Sequence, residues 1–403
     1  MNRVAITGIG IVDNLGTNPN ECFQNMVTDD YVHPVDYETD IESLKGLKCF
    51  KTREPEWVVP EGMRVPMHNA LTVASKNALH VIQQATEHMG RVCKGVDYTR
   101  STNVAVVFSS LAAKPQTEAG PFVDKMRGGK RLSPRTAVQY LNDFTAGLIS
   151  QTFDFRGACV SMDAACATGL YSIDYAMHLL KTHDYVVVGG TDTPAVDDDM
   201  YLFNQLGALG TKSSPFDKTR DGFIMGEGAG CLMLEKEHNA IARGADILGY
   251  IHSVSHHTDG QLGSPTSPDL SMTGAIASMR EATSGLDKDR IGFVNAHGTS
   301  TPIGDDLEYG AIQQVIPETP VLSFKSKIGH SLASSGINET IYSLMCLQNS
   351  VIPKNFNIDD CDLEFVYKYR KKLHIFGQKL NKNMAVKNSF AFGGKSSTLV
   401  LEV

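Results

Sequence analysis

No uninterrupted apolar run in this chain is long enough to span a bilayer, so a helical membrane anchor is not expected. Positive charge is also short: 37 Lys and Arg stand against 45 Asp and Glu, a formal net charge of −8. That balance argues against general binding to nucleic acid or anionic membranes, while leaving room for a small local basic patch. There is no CxxC pair among the eight cysteines, at 22, 49, 93, 159, 166, 231, 346 and 361. Their spacing fits no zinc ligand set, so no metal site is expected, and a chain this large needs no disulfide framework. Nor is there a tandem repeat of solenoid length, a low-complexity segment or a linker between independent domains. The opening Met1-Asn2-Arg3-Val4-Ala5-Ile6-Thr7-Gly8 has neither a long apolar stretch nor an Arg- and Ser-rich leader. A secretory or transit signal is therefore not expected, and a cytoplasmic location is.

What is present is ordinary globular composition, 42% hydrophobic and 20% charged over 403 residues. That length holds two domains or one large duplicated one. Short apolar strands alternate with helical patterns, which argues a layered α/β fold. Strands are predicted at Val4–Thr7, running straight into a Gly turn, and at Val104–Phe108, Val186–Val188, Cys231–Glu235, Gly292–Ala296 and Thr398–Glu402. Helices are predicted at Met67–His88, Ala167–Lys181, Ser271–Ala282 and Glu339–Leu347. Residues 28–66, with four prolines and several charges, read as a surface insertion outside the core. A change of character near Arg243-Gly244-Ala245 divides the chain into 1–245 and 246–403.

Three segments carry chemistry. In Ser161-Met162-Asp163-Ala164-Ala165-Cys166-Ala167-Thr168-Gly169 a single thiol sits among small residues, after a strand-like stretch and before a helical pattern. A helix N-terminus stabilises a thiolate and leaves N–H donors for a developing oxyanion. A free cysteine is more often buried and inert, so this turn alone favours a nucleophile only modestly. Asn295-Ala296-His297-Gly298-Thr299-Ser300-Thr301 delivers a histidine into a turn of small and hydroxyl residues. In Ser323-Phe324-Lys325-Ser326-Lys327-Ile328-Gly329-His330, Lys325 and His330 flank a second tight turn. Taken alone, these last two would be a solvated lysine and a capping histidine. One cysteine and two histidines in Gly-rich turns suggest acyl chemistry, with neutral imidazoles donating to a carbonyl oxygen that gains charge. A thiol protease would need only one histidine, with an orienting Asn or Asp.

With these motifs, Phe216-Asp217-Lys218-Thr219-Arg220-Asp221-Gly222 and Asn388-Ser389-Phe390-Ala391-Phe392-Gly393-Gly394, the chain resembles an elongating β-ketoacyl-acyl-carrier-protein synthase. The resemblance is to the Cys-His-His type in the thiolase superfamily, spans essentially the full length, and leans towards the synthase I branch. It implies a thiolase-like five-layered αβαβα α/β fold built from two pseudo-duplicated halves, usually a homodimer. It implies that Cys166 accepts an acyl chain from an acyl carrier protein, whose phosphopantetheine arrives with it, so no resident cofactor is expected. His297 and His330 would assist malonyl decarboxylation, and the N–H groups of Cys166 and Phe392 would form the oxyanion hole. Lys325, Glu339, Asp305 and Glu308 would support the histidine turns. Asn295, Glu339, Asn388 and Ser389 fall where some relatives bind a monovalent cation.

The resemblance further places Leu111 at the depth limit of an acyl pocket gated by Ala391 and Phe392. Gly is usual at the position of Ala391, so a stiffer gate is expected. Lys130, Arg131, Lys212 and Arg64 fall at carrier-protein docking positions, beside Lys125 and Arg127. The competing reading is a non-catalytic, chain-length-factor-like partner of another ketosynthase. Such partners have generally lost the nucleophile, whereas Cys166, His297, Lys325 and His330 are all present. A degradative thiolase would need a cysteine in the Asn388–Gly394 motif, which has none.

Overall fold

The computed structural model describes residues 3–56, 63, 65–92, 103–112, 127–129, 134–260, 266, 269–317, 319–357 and 380–403. Its strands are β1 (Val4–Val12), β2 (Val35–Asp36), β3 (Lys48–Phe50), β4 (Val104–Ser109), β5 (Cys159–Val160), β6 (Tyr185–Asp192) and β7 (Met225–Gly226). Then follow β8 (Gly228–Lys236), β9 (Gly249–Thr258), β10 (Ile291–Asn295), β11 (Val321–Leu322), β12 (Met384–Ala391) and β13 (Lys395–Glu402). Ten of these form one sheet in the order β11-β10-β12-β13-β9-β1-β8-β6-β4-β5.

That sheet is the same five-strand pattern used twice. Numbered within each half, β5-β4-β6-β8-β1 and β11-β10-β12-β13-β9 both read third, second, fourth, fifth, first. In both, the third, second and fourth strands are parallel, and the fifth is antiparallel to each of its neighbours. The first strands of the halves, β1 and β9, pair over Val4–Ile6 and Gly249–Ile251 and join the two sets. The segment between β8 and β9 holds Arg243-Gly244-Ala245.

Side chains alternate across these strands, so each set has two apolar faces to cover. On β4, Val104, Val106 and Phe108 face one core, while Ala105 and Val107 face the other; on β8, Ala229, Cys231 and Met233 oppose Leu232 and Leu234. Helices Val73–Val92 and Phe144–Phe153 cover the outer face of the first set, and Thr273–Ala282 that of the second, with Pro302–Val315 packed beside it. Between the sets lie Thr168–Leu179 and Leu332–Gln348, which pack on each other and on strands of both halves. The result is five layers, αβαβα. The two middle helices approach so closely that a Cβ on Gly169 would meet the Gly336 Cα at 2.9 Å. Among the described residues no helix is long and apolar enough to cross a membrane.

Several boundaries differ from the sequence reading for identifiable reasons. β1 does not turn at Gly8 but runs on to Val12, with an irregularity in pairing between Ile6 and Gly8. Gly8 and Gly10 sit there because a Cβ would strike the carbonyls of Ala85 and Val81, at 2.6 and 2.0 Å, on the helix packed over the strand. The Met67–His88 helix is two pieces, Val65–His68 and Val73–Val92. Leu332–Gln348 begins seven residues before the expected Glu339. Residues 28–66 are not a mere surface insertion: β2, β3 and β7 form a small sheet, and Leu44, Cys49 and Phe50 are buried.

Candidate active site

Cys166 lies in a tight turn, Ala165–Ala167, that leads into the Thr168–Leu179 helix. The strand before it is shorter than expected: β5 ends at Val160, and a loop carries the chain to the turn. The Thr168 hydroxyl clasps the turn by donating to the Ala165 carbonyl at 2.6 Å and accepting the Ala164 N–H at 2.8 Å. Ala165 is held at φ 50°, a conformation L-residues rarely adopt, so the surroundings impose the bend. The turn packs against β12, β13 and the Leu332–Gln348 helix.

The expected thiolate at rest is not what this setting favours. Cys166 is only 9% exposed, and burial pushes its thiol up to about 11, against the opposing charge of Lys325 and its own backbone N–H. Desolvation thus opposes the thiolate and favours the protonated sulfur. The buried Cys231 and Cys346, without nearby cations, are pushed higher still. All six cysteines among the described residues are free thiols.

His297 follows β10, and its position is set by backbone, not by its ring. Glu308, on the Pro302–Val315 helix, accepts the His297 and Gly298 N–H groups at 2.8 Å each. Asp305, one turn earlier, accepts from Ser300 at 3.1 Å and Phe216 at 2.8 Å. Burial raises both carboxyls, Asp305 to about 7. The Phe216–Gly222 motif braces the same loop: Arg220 donates to the Pro302 carbonyl and Asp306, and Gly222 to the Ser300 carbonyl.

His330 is buried in the second turn, where its N–H donates to Ile224 and its carbonyl accepts from Gly226. Its Nδ1 lies 3.0 Å from the Ser335 hydroxyl, whose oxygen already accepts the Ser331 N–H. Nε2 is buried with no hydrogen-bond partner among the described residues. The two imidazoles meet edge to face, with ring centres 5.5 Å apart. Burial and then Lys325 push both well below the usual histidine range, so both are neutral donors near neutral pH.

Lys325 ties the turns together. It is buried and donates to the His297 carbonyl at 2.8 Å and to Glu339 Oε1 at 2.5 Å. Glu339 is buried in the Leu332–Gln348 helix, and its other oxygen takes Lys387 at 2.7 Å.

Not every expected residue joins this cluster as foreseen. Phe392 lies in the turn between β12 and β13, the two strands that pack against the Cys166 turn, and Lys395 reaches its carbonyl at 3.4 Å. Ala391 pairs with Lys395 in extended register, which alanine adopts without strain. Leu111 lines a pocket with Ser110, Gln139, Leu141, Asn142 and Phe144, and packs in the small cluster that includes Leu332. Lys212 is one-third exposed and paired with Asp217 at 3.4 Å, and Arg127 is exposed. Arg64, Lys125, Lys130 and Arg131 lie outside the described residues. Two residues escaped sequence reading. Asp192 accepts from Leu111 and Ala112 with one oxygen and from Ala333 with the other, tethering the pocket loop to the helix after His330. Lys387 is a fully buried lysine in a central strand. A charge inside an apolar strand was the available signal for it.

Comparison with known proteins agrees with this geometry. Residues 1–240 match the beta-ketoacyl synthase, N-terminal domain model, and residues 248–359 the C-terminal domain model. A 3-oxoacyl-[acyl-carrier-protein] synthase 2 of Vibrio cholerae is 32% identical over 99% of both chains. A synthase 1 of Buchnera aphidicola is 29% identical over 100% of this chain and 99% of that one. Both kinds match comparably, so the likeness is to the family and not to the synthase I branch in particular. A beta-ketoacyl synthase from Burkholderia phymatum superposes with TM-score 0.85 at 26% identity, covering 100% of this chain and 99% of that one. The ishigamide ketosynthase/chain length factor shares the fold, with TM-score 0.85 at 23% identity over the same extents. Two matched domain models, full-length relatives and a shared five-layer architecture lead to one assignment: the chain belongs to the β-ketoacyl synthase family of condensing enzymes.

Proposed function

We propose that this enzyme performs decarboxylative Claisen condensation with Cys166 as the acylated nucleophile. The Cys166 sulfur attacks the acyl thioester of a carrier protein, releases the carrier thiol and keeps the acyl group. A malonyl-carrier protein then loses carbon dioxide, and the resulting enolate carbon attacks the Cys166 thioester. The carbon–carbon bond forms, the carbon–sulfur bond breaks, and a 3-oxoacyl-carrier protein leaves. His297 and His330 donate to the enolate oxygen, and the N–H groups of Cys166 and Phe392 serve the thioester oxygen. The observation that carries this reading is the buried Nε2 of His330, on a neutral ring, next to the neutral ring of His297. A pair of neutral donors suits a carbonyl oxygen that becomes negative.

Leu111 is assigned as the stop for the acyl tail, and Lys212 with Arg64, Lys130 and Arg131 as the face for the acidic carrier protein. The edge strand β5, paired with β4 alone in the sheet, suits a homodimer or a heterodimer with a related synthase. The product enters fatty-acid or polyene/polyketide synthesis in the cytoplasm. Intact-protein mass after incubation with a panel of acyl-carrier proteins tests the reading and separates these pathways by the chains that load. Wild type should gain one acyl group, and Cys166→Ser should neither load nor condense. Unchanged condensation by Cys166→Ser would overturn the assignment.

A further inference from the structure

The resemblance to cation-binding relatives rests on Asn295, Glu339, Asn388 and Ser389, yet Glu339 and Asn388 are already engaged. Both Glu339 oxygens pair with ammonium groups, Oε1 with Lys325 at 2.5 Å and Oε2 with Lys387 at 2.7 Å. Lys387 also donates to the Asn388 carbonyl. The Asn388 side chain is spent as well, donating to Glu308 Oε1 at 3.2 Å and accepting from Thr398 at 3.0 Å. The Asn295 amide nitrogen lies 3.5 Å from Glu339 Oε2, and its oxygen is buried with no partner among the described residues, so a cation would find one amide oxygen there but no free carboxylate. The donor set therefore does not fit a bound metal ion.

The charge count points the same way. Lys325, Lys387, Glu308 and Glu339 are all buried, two of each sign. A further cation would leave an uncompensated buried positive charge, which is strongly disfavoured. Lys387 stands in register with Asn295 on the neighbouring strand, so its side chain starts beside the very residues it serves.

We propose that Lys387 is a built-in cation: its ammonium takes the place of a monovalent metal ion and holds Glu339, and through Lys325 the His297 turn, in position. Lys387 touches no reacting atom and is a positioning residue. Replacing it with a short neutral side chain leaves the cluster one positive charge short and opens space for an alkali ion. The chain is thus expected to work without alkali metal, and Lys387→Ser to acquire a requirement for it.

The test compares potassium with tetramethylammonium, which is too large for such a site, as the only added monovalent cation. Carbon dioxide release from malonyl-carrier protein and thermal melting are read in both. Wild type should decarboxylate at the same rate in either salt, within about twofold. Lys387→Ser should lose at least tenfold in tetramethylammonium and regain most of it, saturably, with potassium. Its melting temperature should rise with potassium where that of wild type does not. Lys387→Met, neutral but filling the space, should lose rate and gain nothing from potassium. A wild-type enzyme that needs alkali metal overturns the proposal, as does a Lys387→Ser variant indifferent to the salt in both rate and melting. If Lys387→Ser fails to fold in either salt, the wild-type comparison still decides. The rate assay rests on the condensing reaction, whereas the melts do not, so failure of one reading is distinguishable from failure of the other.

Discussion

Leu111 and His297 stand at corresponding places in the two halves, each two residues beyond the second strand of its set, β4 or β10. Both are held alike. Asp192 accepts the N–H groups of Leu111 and Ala112 at 2.8 and 2.6 Å, and Glu308 accepts those of His297 and Gly298 at 2.8 Å each. Cys166 and His330 correspond in the same way, each two residues before the middle-layer helix of its half, Thr168–Leu179 or Leu332–Gln348. One half thus presents a leucine and a thiol where the other presents two imidazoles. The backbone device is shared and the side chain differs: on the proposed reading, the first half holds an apolar acyl group and the second handles developing charge.

The largest expected effect separates these duties. His297→Ala or His330→Ala should slow condensation by roughly 10²–10³-fold, the usual cost of losing one oxyanion donor. Acyl loading of Cys166 should survive. Mass spectrometry of the loaded protein beside a carbon dioxide assay reads both, and equal loss of loading and condensation would erase the division between halves.

Next comes the protonation of the nucleophile. Because burial raises the Cys166 thiol to about 11, the proton stays on below that value and the thiolate fraction grows as pH rises. Iodoacetamide alkylation of Cys166 should therefore accelerate about tenfold per pH unit from 7 to 9. A plateau between pH 7 and 8 would mean that the helix end prevails over desolvation, and that the first half offers a thiolate at rest.

The paired carboxylates offer a sharper comparison. Asp192→Asn and Glu308→Gln each set an amide against backbone donors, and each should cost about 1–3 kcal/mol in urea unfolding. They should differ in activity. Glu308→Gln should slow decarboxylation with loading intact, whereas Asp192→Asn should change which acyl chains load, because it releases the Leu111 loop. The smallest effect belongs to Leu111→Gly, which should extend the loaded chains towards longer ones and leave short-chain loading nearly untouched.

Legibility in the sequence followed distance along the chain. Cys166, His297, Lys325 and His330 announce themselves because each sits in a local run of small residues next to an apolar strand or helix. Asp192 does not, because its partners Leu111 and Ala333 lie 81 and 141 residues away. Lys387 hid in a short apolar strand, and its partner Glu339 is on another element. The strands β5 and β11 have two residues each, too few to show alternation. The full length of β1 is hidden because its glycines look like a turn but answer to a helix some 75 residues later. The alternating apolar pattern gave the layered α/β class, but the repeated strand order is visible only once the strands are paired.

The place of β13 has a consequence for how the molecule is made. This strand, Lys395–Glu402, lies between β12 and β9 and pairs with both. The second half therefore cannot close its sheet until Lys395–Glu402 has left the ribosome. By then β1 and β8 have long been available to pair, and Cys166 has long been synthesised. The turn that presents the thiol packs against β12 and β13, so a nascent or C-terminally truncated chain carries the nucleophile without its reaction chamber. On the proposed reading, reactivity awaits β13, the strand that seals the Cys166 turn and separates an unfinished polypeptide from a working catalyst.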